Sequence, residues 1–301
     1  MEPNYHIPVL LNEVIDGLNI NPTGIYVDCT FGGGGHSREI LKHLKSEGKL
    51  IAFDQDEDAK KNLPDDSRVI FVPHNFRHLQ RFLRLHKIDK VDGVLADIGV
   101  SSHQFDEADR VFSTRFDAAM DMRMDKRQEL TAVTILETYS EKQLHKLFEQ
   151  YGEVTNAKTL AKNIVAVRKT SSLKTINDFK TALHASVKGN PKKYFAQVFQ
   201  TLRIEVNDEL GALKEMLQQL PEVVKPGGRI AVISFHSLED RIVKNFFKHG
   251  TFEEEPENPF QQQTRQSPFR IVTKKPIVPS AQELKTNPRS RSSKLRIAER
   301  V

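Results

Sequence analysis

The chain has 301 residues, of which 38% are hydrophobic and 28% are charged. This composition is typical of a globular protein, and the length allows one large domain or two of ordinary size. No run approaches the ~20 apolar residues that a membrane span needs. The single cysteine, Cys29, excludes an intrachain disulfide and a multi-cysteine metal site. Because the first residues also lack the features of a signal peptide, a cytoplasmic location is expected.

The net charge of +5 is unevenly distributed along the chain. Residues 274–301 contain eight basic and two acidic side chains, so this segment alone carries +6. A second basic tract, Lys158–Lys193, has nine basic residues against Asp178 alone. Basic segments on a nearly neutral body favour nucleic acid as a partner over a solvated cationic surface without a specific partner.

Short apolar runs alternate with helical patterns in the first third of the chain. The predicted strands are Ile25–Cys29, Leu50–Phe53, Val69–Val72 and Gly93–Ala96, and the predicted helices are Ser37–Lys45, Glu57–Asn62 and Phe76–His86. Such alternation predicts a parallel sheet with right-handed crossovers. The strands are almost entirely apolar, as expected when helices cover both faces of the sheet.

A glycine run, Gly32–Gly35, follows the first predicted strand. Glycine tolerates positive φ and lets a ligand approach the main chain, whereas four glycines without a ligand would only cost backbone entropy. The dinucleotide fingerprint is incomplete, because Ser37 or Arg38 stands where its third glycine should be. The spacing from Asp28 to the glycines is closer to the S-adenosylmethionine version of the loop, which covers the methionine part of that cofactor.

Two side chains beyond the next strands extend this candidate site. Asp54 ends the second strand, where a carboxylate can accept hydrogen bonds from ribose hydroxyls; a helix N-cap is the alternative. Phe76 follows the third strand, where an aromatic ring can stack on adenine, although core packing is nearly as well supported.

The fourth strand leads into Asp97–Gln104, which holds an acid, two hydroxyls, an amide and Gly99. Ligands of open α/β sheets lie beyond the carboxyl ends of the strands, so this segment should face the transferred group. Its acceptors can bind the N–H groups of an exocyclic amine, whose lone pair is otherwise delocalised into the ring. The analogy to the Asp/Asn/Ser-Pro-Pro-aromatic run of many amino-methylating enzymes is loose, because this chain has no prolines there.

The remaining elements are predicted from helical periodicity and turn residues. From about Phe105 to Phe195 no parallel strand is evident, which indicates a helical insertion, and Ser140 with Gln143 resembles a capping box. The later elements are a long helix Tyr194–Val224, a turn Lys225–Gly228, a strand Arg229–Phe235, a helix Leu238–Lys248, a polar loop Thr251–Ser267 and two closing strands, Phe269–Thr273 and Lys294–Ala298. The insertion helices are Ala132–Leu136, Glu141–Glu149, Thr155–Arg168 and Ile176–Val187.

Seven runs of the sequence, taken together and in their order along the chain, closely resemble the bacterial 16S rRNA cytosine-N4 methyltransferases that modify the decoding region of the ribosome. The glycine loop alone is weakly specific, whereas the ordered set is highly specific. The matching runs are His6–Glu13, Asp28–Ser37, Asp97–Ser102, Met120–Asp125, Leu202–Glu209, Ile233–Arg241 and Ser290–Arg296.

The resemblance implies an α/β fold: a class I methyltransferase (Rossmann-like) core with a mostly parallel seven-stranded sheet and a helical inserted domain. The core would comprise 1–105 and 196–301, and the substrate-recognition insertion 106–195. The resemblance further implies S-adenosyl-L-methionine as cofactor and 16S rRNA or the small ribosomal subunit as partner, in the cytoplasm and without a membrane. The oligomeric state is left open, a homodimer included.

The site residues follow from the resemblance and from the chemistry of the loop. The resemblance implies cofactor contacts at Gly33, Gly34, Gly35, His36, Asp54, Phe76, Asp97 and Gln104. It does not settle a proton acceptor. Our hypothesis is that Asp97, Ser101 or main-chain carbonyl groups of this loop hold the cytosine amine, and no metal site is predicted.

Two further groups have open interpretations. His236 and Glu239 could reach the cytosine or the RNA backbone, or the segment could be a helix start with Ser237 as N-cap and Asp240 three residues on. In Met120–Asp125, packing of the insertion on the core through the alternating methionines, with charged faces outward, is favoured slightly over a grip on the target strand. The rival functions are a methyltransferase acting on DNA or a small amine, a nicotinamide-dependent dehydrogenase, and a non-catalytic RNA-binding protein.

Overall fold

The computed structural model describes residues 8–99, 118–252 and 266–301. These residues form two compact units. The first unit contains the described residues of Met1–Gly99 and Gly211–Val301, and the second contains those of Val100–Leu210.

One seven-stranded sheet forms the centre of the first unit, in the order β3-β2-β1-β4-β5-β7-β6. Strands β1 to β5 are parallel, while β7 runs antiparallel to both β5 and β6. The strands are β1 Ile25–Asp28, β2 Lys49–Phe53, β3 Val69–Val72, β4 Val91–Asp97, β5 Val224–Ser234, β6 Phe269–Ile271 and β7 Lys294–Arg300. The strand predictions for the first third of the chain are thereby confirmed to within two residues at each end.

The described helices divide between the two units. In chain order they are α1 Leu11–Leu18, α2 Gly35–His43, α3 Leu79–Leu85, α4 Ala132–Thr138, α5 Glu141–Gln150, α6 Ala157–Val167, α7 Ile176–Ala182, α8 Pro191–Asn207, α9 Glu209–Val223, α10 Ser237–His249 and α11 Ala281–Thr286. Short 3₁₀ turns cover Glu57–Asn62, Phe76–His78, His184–Ser186 and Pro288–Ser292. The predicted helix Phe76–His86 therefore begins as a 3₁₀ turn before α3.

Both faces of the sheet are buried, which explains why its strands are apolar along their whole length. Alternate residues of a strand point to opposite faces. Accordingly, Val27 and Val94 belong to one hydrophobic cluster, and Tyr26 and Leu95 belong to another. The polar ends of these strands are then the places where ligand-binding groups can collect.

The predicted turn before the fifth strand lies inside that strand as an irregularity. Val224 pairs with Val91, but Arg229 pairs with Gly93, so the six residues Val224–Arg229 of β5 lie opposite three residues of β4. Gly227 adopts φ of 79°, a conformation that side chains disfavour. The glycines and proline thus bulge the strand without ending its pairing.

The second unit is a helical bundle with its own core. Phe179 of α7 contacts Phe195 and Phe199 of α8, with ring centroids 6.3 and 5.5 Å apart. Helix α8 therefore belongs to the second unit, although the predicted boundary at residue 195 assigned most of it to the methyltransferase core. The capping box at the start of α5 is confirmed, since Ser140 and Gln143 exchange hydrogen bonds.

The long helix predicted over Tyr194–Val224 is wrong in one respect, because the chain breaks it at Asp208. Asp208 adopts φ of 45° and ψ of 45°, a left-handed conformation that ends α8 before α9 begins. Asn207, which is buried, donates to the carbonyl group of Met122 and accepts the N–H of Met124, both at 2.8 Å. These side-chain bonds fix the junction, and apolar periodicity cannot reveal them.

The methionines of the run Met120–Asp125 are packing residues, as predicted, but the core that they enter is not the predicted one. Met120 and Met122 are buried in the core of the second unit itself. The charged residues between them remain at the surface, where Arg123 pairs with Asp121 at 2.7 Å.

Candidate active site at the carboxyl edge of the sheet

The glycine loop connects β1 to α2 in a conformation that requires glycine. Gly32 and Gly34 have φ of 51° and 73°, in the left-handed region. A Cβ atom on Gly34 would lie 2.8 Å from the ring of Phe31. A side chain there would therefore be strained by both the backbone and its surroundings.

Side chains from three parts of the first unit hold this loop. Asp54, directly after β2, accepts the N–H of Gly32 at 2.7 Å. Asn62 donates to the carbonyl group of Gly32 at 3.0 Å, and Arg38 donates to that of Gly33 at 2.7 Å. Sequence reasoning identified Asp54 but missed the other two. Arg38 could have been found, because it lies one helical turn beyond the glycines, whereas no sequence signal marks Asn62.

A buried network joins the ends of β1 and β4. Asp28 accepts hydrogen bonds from the hydroxyl of Ser37 at 2.7 Å and from the N–H of Thr30 at 3.0 Å. The hydroxyl of Thr30 in turn accepts the N–H of Asp97 at 2.7 Å. Thr30, which sequence reasoning also missed, therefore sets the position of Asp97 relative to the glycine loop.

Asp97 at the end of β4 has an incompletely satisfied carboxyl group. Its Oδ1 atom is buried and has no hydrogen-bond partner among the described residues. Its Oδ2 atom lies 3.7 Å from Nδ1 of His36. Burial, reinforced by the charges of Asp28 and Glu239, raises the pKa of Asp97 to about 7. A buried polar atom without a partner is costly, and its retention at a strand end is typical of a ligand-binding position.

His36 is neutral at physiological pH and faces Asp97. Its Nε2 atom lies 2.9 Å from the carbonyl oxygen of Val9, so Nε2 carries the proton and donates it to that oxygen. Burial lowers the pKa of His36 to about 4. His36 therefore adds no positive charge beside Asp97 that would favour the ionised form of that carboxyl group.

The carboxyl groups of Asp54 and Asp97 are largely buried, and each lies within electrostatic reach of the buried Asp28. Burial raises the pKa of Asp28, and it raises that of Asp54 to about 7, with smaller contributions from Asp56 and Asp28. The pKa of Asp97 is raised as well. A cationic ligand with hydroxyl groups would favour their ionised forms and use their spare acceptor capacity.

The other predicted residues are placed as follows. Phe76 is half-buried and packs partly against the core of the first unit, so its contact with an adenine ring stays a prediction. Asn75, just before it, caps the 3₁₀ turn and donates to Gln55 at 2.8 Å. Ser101 and Gln104 lie outside the described residues, as does most of the predicted loop Thr251–Ser267.

His236 and Glu239 form the start of α10, where the sequence predicts Ser237 and Asp240. Glu239 is completely buried and accepts the N–H groups of Phe235 and His236 at 2.8 and 3.3 Å. Its other oxygen lies 2.8 Å from Nε2 of His236, although the angle between these groups does not make a hydrogen bond. The helix therefore begins one residue earlier than predicted, and these contacts favour the capping interpretation of the pair.

The described residues contain neither of two features, a metal-binding group and a membrane-spanning helix. No three His, Cys, Asp or Glu side chains there form a group that could hold a metal ion. None of the described helices combines the length and apolar character that crossing a membrane requires.

The sheet order, its antiparallel strand β7 and the glycine loop after β1 define a class I methyltransferase fold. The chain belongs to the MraW methylase family, whose sequence pattern it matches over residues 4–301. It is therefore an S-adenosylmethionine-dependent methyltransferase, and the dehydrogenase alternative is wrong.

Similar curated proteins span the same length. A protein of Bacteroides thetaiotaomicron named ribosomal RNA small subunit methyltransferase H is 54% identical over 300 residues, covering 99% of this chain and 98% of its own. A protein of Parabacteroides distasonis with the same name is 54% identical over 299 residues, with the same coverage of both chains.

Similar solved structures are more distant. A putative rRNA-methylase from Clostridium thermocellum has a TM-score of 0.46 at 11% identity, covering 98% of this chain and 100% of that chain. A putative methyltransferase from Streptococcus mutans, solved in complex with SAH, has a TM-score of 0.42 at 12% identity, with the same coverage.

Proposed function

We propose that this protein transfers the methyl group of S-adenosylmethionine to the exocyclic N4 amine of a cytosine in the decoding region of small-subunit (16S) rRNA. The observation that carries the proposal is the full-length identity to proteins named ribosomal RNA small subunit methyltransferase H. The cytosine specificity rests on the resemblance of the ordered motifs, and the buried acceptor of Asp97 beside the glycine loop is consistent with it.

The residues at the carboxyl edge of the sheet fit this cofactor. Asp54 has acceptor capacity left for ribose hydroxyls after binding two main-chain N–H groups. Gly33–Gly35 would bring main-chain atoms to the methionine part, and Phe76 would face the adenine ring. Residue Gln104, outside the described residues, completes the proposed contact set. When bound, the cofactor supplies a methyl group already activated by its sulfonium.

The chain itself contributes alignment and hydrogen bonding. Asp97 would accept an N–H of the cofactor or of the target amine at its unpartnered Oδ1, and Ser101 would hold the amine from the following loop. Accepting such bonds makes the amine nitrogen more pyramidal and a better nucleophile. Once the methyl group has been transferred, the methylated amine is cationic and gives up a proton to water or to an oxygen of this loop. Alignment of the reacting atoms lowers the activation free energy of such a transfer by several kcal/mol.

The substrate is a large polyanion, and the basic tracts suit it. The second unit carries much of the tract Lys158–Lys193 and would recognise the RNA around the target. The cytosine would turn out of its stack to reach the strand ends, as base-modifying enzymes require. Action on ribosomal RNA implies a cytoplasmic location. The oligomeric state is a separate question, and sedimentation equilibrium of the purified chain would decide between a monomer and a homodimer.

The direct test is a comparison of rRNA nucleosides from cells with and without the gene. Nucleoside mass mapping of small-subunit rRNA should show N4-methylated cytidine at one decoding-region position only when the protein is present. Restoration by the wild-type chain but not by Asp97→Ala would link the modification to this site. An identical modification map in both strains would contradict the proposal.

A further inference from the structure

The basic residues of segment 274–301 are not equally available to a partner. Arg296 donates two hydrogen bonds to Asp240, at 2.6 and 3.1 Å, and Lys294 lies 3.5 Å from the same carboxylate. Arg300 donates to main-chain carbonyl groups. These three side chains stabilise the fold of the first unit. The charge of the segment therefore overstates the positive surface that an RNA strand can use.

The turn Pro288–Ser292 carries two further cations, Arg289 and Arg291. Ser290 and Ser293 are buried, and their hydroxyl groups donate to main-chain carbonyl oxygens at 2.8 and 2.7 Å. These bonds hold the turn in one shape. Arg289 and Arg291, on either side of Ser290, are exposed. The turn is therefore a preformed support for two guanidinium groups, and little ordering entropy is needed to bind an anion there.

The same turn lies at the edge of the sheet that carries the candidate active site. Lys294 begins β7 and pairs with Ser234, the last residue of β5. Asp97, at the end of β4, pairs with Ile233 of β5. Since neighbouring strands are about 4.8 Å apart, the start of β7 is roughly 10 Å from the end of β4. An anion on the turn would thus lie close to a nucleotide held at Asp97.

We propose that the turn Pro288–Ser292 binds a backbone phosphate of the RNA strand beside the methylated nucleotide, with Arg291 as the principal contact and Arg289 next to it. This inference rests on the proposed function for the identity of the strand. A guanidinium stays charged at every relevant pH and offers a planar pair of donors that matches a phosphate. Within the part of the chain that the structure describes, no acidic side chain is paired with Arg291.

The test is the salt dependence of RNA binding. A labelled single-stranded fragment of small-subunit rRNA that contains the target is titrated with wild type, Arg291→Ala, Arg291→Lys and Arg289→Ala/Arg291→Ala. Loss of one phosphate contact should reduce the slope of log affinity against log salt by about 0.7. Arg291→Lys should keep that slope but bind several-fold more weakly than wild type. Calorimetry with S-adenosylhomocysteine should give the wild-type affinity for all variants.

Lys49→Ala is the matched control, because Lys49 is exposed at the amino end of β2, on the opposite edge of the sheet. It removes the same charge and should leave the slope unchanged. Equal slopes for wild type and the double variant, with thermal unfolding unchanged, would overturn the inference while the proposed function stands. A wild-type protein that binds the RNA but never methylates it would instead contradict the proposed function, and the slopes would still decide whether the turn binds phosphate.

Discussion

At the scale of single residues, the site is defined by acids that the fold keeps away from water. Asp97 has one oxygen without a partner among the described residues and the other near a neutral His36. Such an arrangement costs stability in the free protein and is retained at functional positions. The position of Asp97 at a strand end was predictable from the sequence. The raised pKa of Asp97 was not predictable, because it depends on burial in the folded chain and on the charges of Asp28 and Glu239, which are remote in the sequence.

The raised pKa of Asp97 predicts a pH-dependent effect of the substitution Asp97→Asn on stability. The carboxyl group titrates near 7 in the folded chain but near 3.8 when exposed, so unfolding between these values releases a proton. The contribution of Asp97 to the free energy of unfolding therefore falls as pH rises from 4 to 7, by about 1.4 kcal/mol for each pH unit in this range. Urea unfolding should show Asp97→Asn gaining stability relative to wild type across this range.

Asp66→Asn provides a control with the opposite sign. Hydrogen bonds from Arg68 lower the pKa of Asp66 to about 2, so its contribution is present above pH 3.8 and disappears only as pH falls toward 2. The difference between this variant and wild type should be constant from pH 5 to 8. A constant difference for Asp97→Asn as well would show that Asp97 is not protonated in the fold.

At the scale of elements, the glycine loop and the helix junction show where sequence patterns suffice and where they fail. The loop was predictable because glycine at positive φ is a local requirement. The break at Asp208 was not, because apolar spacing continues from α8 into α9 while Asn207 is fixed by contacts with Met122 and Met124. Local chemistry can be inferred from the sequence, whereas hydrogen bonds between distant segments can be identified only in the three-dimensional structure.

Gly34→Ala is expected to impair cofactor binding, and Gly227→Ala is its matched control. Both glycines have φ above 70°, so both variants should lose about 1 kcal/mol of stability or more from backbone strain. Only at Gly34 would the new methyl group also meet Phe31, whereas nothing lies within 4 Å of a Cβ on Gly227. Calorimetry with S-adenosylhomocysteine should show a loss of at least tenfold for Gly34→Ala alone. Equal affinities would mean that the loop does not contact the cofactor.

Asn207→Ala should destabilise the second unit by about 2–3 kcal/mol. The substitution removes the buried hydrogen bonds that Asn207 makes with the carbonyl group of Met122 and the N–H of Met124. Asn190→Ala, at the exposed start of α8, should cost only about 1 kcal/mol because it removes a helix cap. Denaturant unfolding of both variants compares them, and similar losses would contradict the assigned role of Asn207.

At the scale of the whole molecule, the topology was largely predictable and the unit boundary was not. Parallel strands followed from apolar runs that alternate with helices, and the site acids followed from the ends of those strands. Helix α8 was misassigned because its residues give no sign of which core they enter; Phe195 and Phe199 pack with Phe179 in the second unit. The positive surface that segment 274–301 offers to a partner was likewise overestimated, since Arg296 is bound to Asp240.

The carboxyl edge of the sheet is where the proposed transfer of a methyl group to small-subunit rRNA takes place. The most direct measurement is single-turnover transfer from methyl-labelled S-adenosylmethionine to small ribosomal subunits isolated from cells that lack the protein, followed by nucleoside analysis. We expect label in N4-methylated cytidine with wild type, and at least a hundredfold slower transfer with Asp97→Ala at saturating cofactor. Label on another nucleoside, no transfer to rRNA, or a wild-type rate with Asp97→Ala would contradict the proposal.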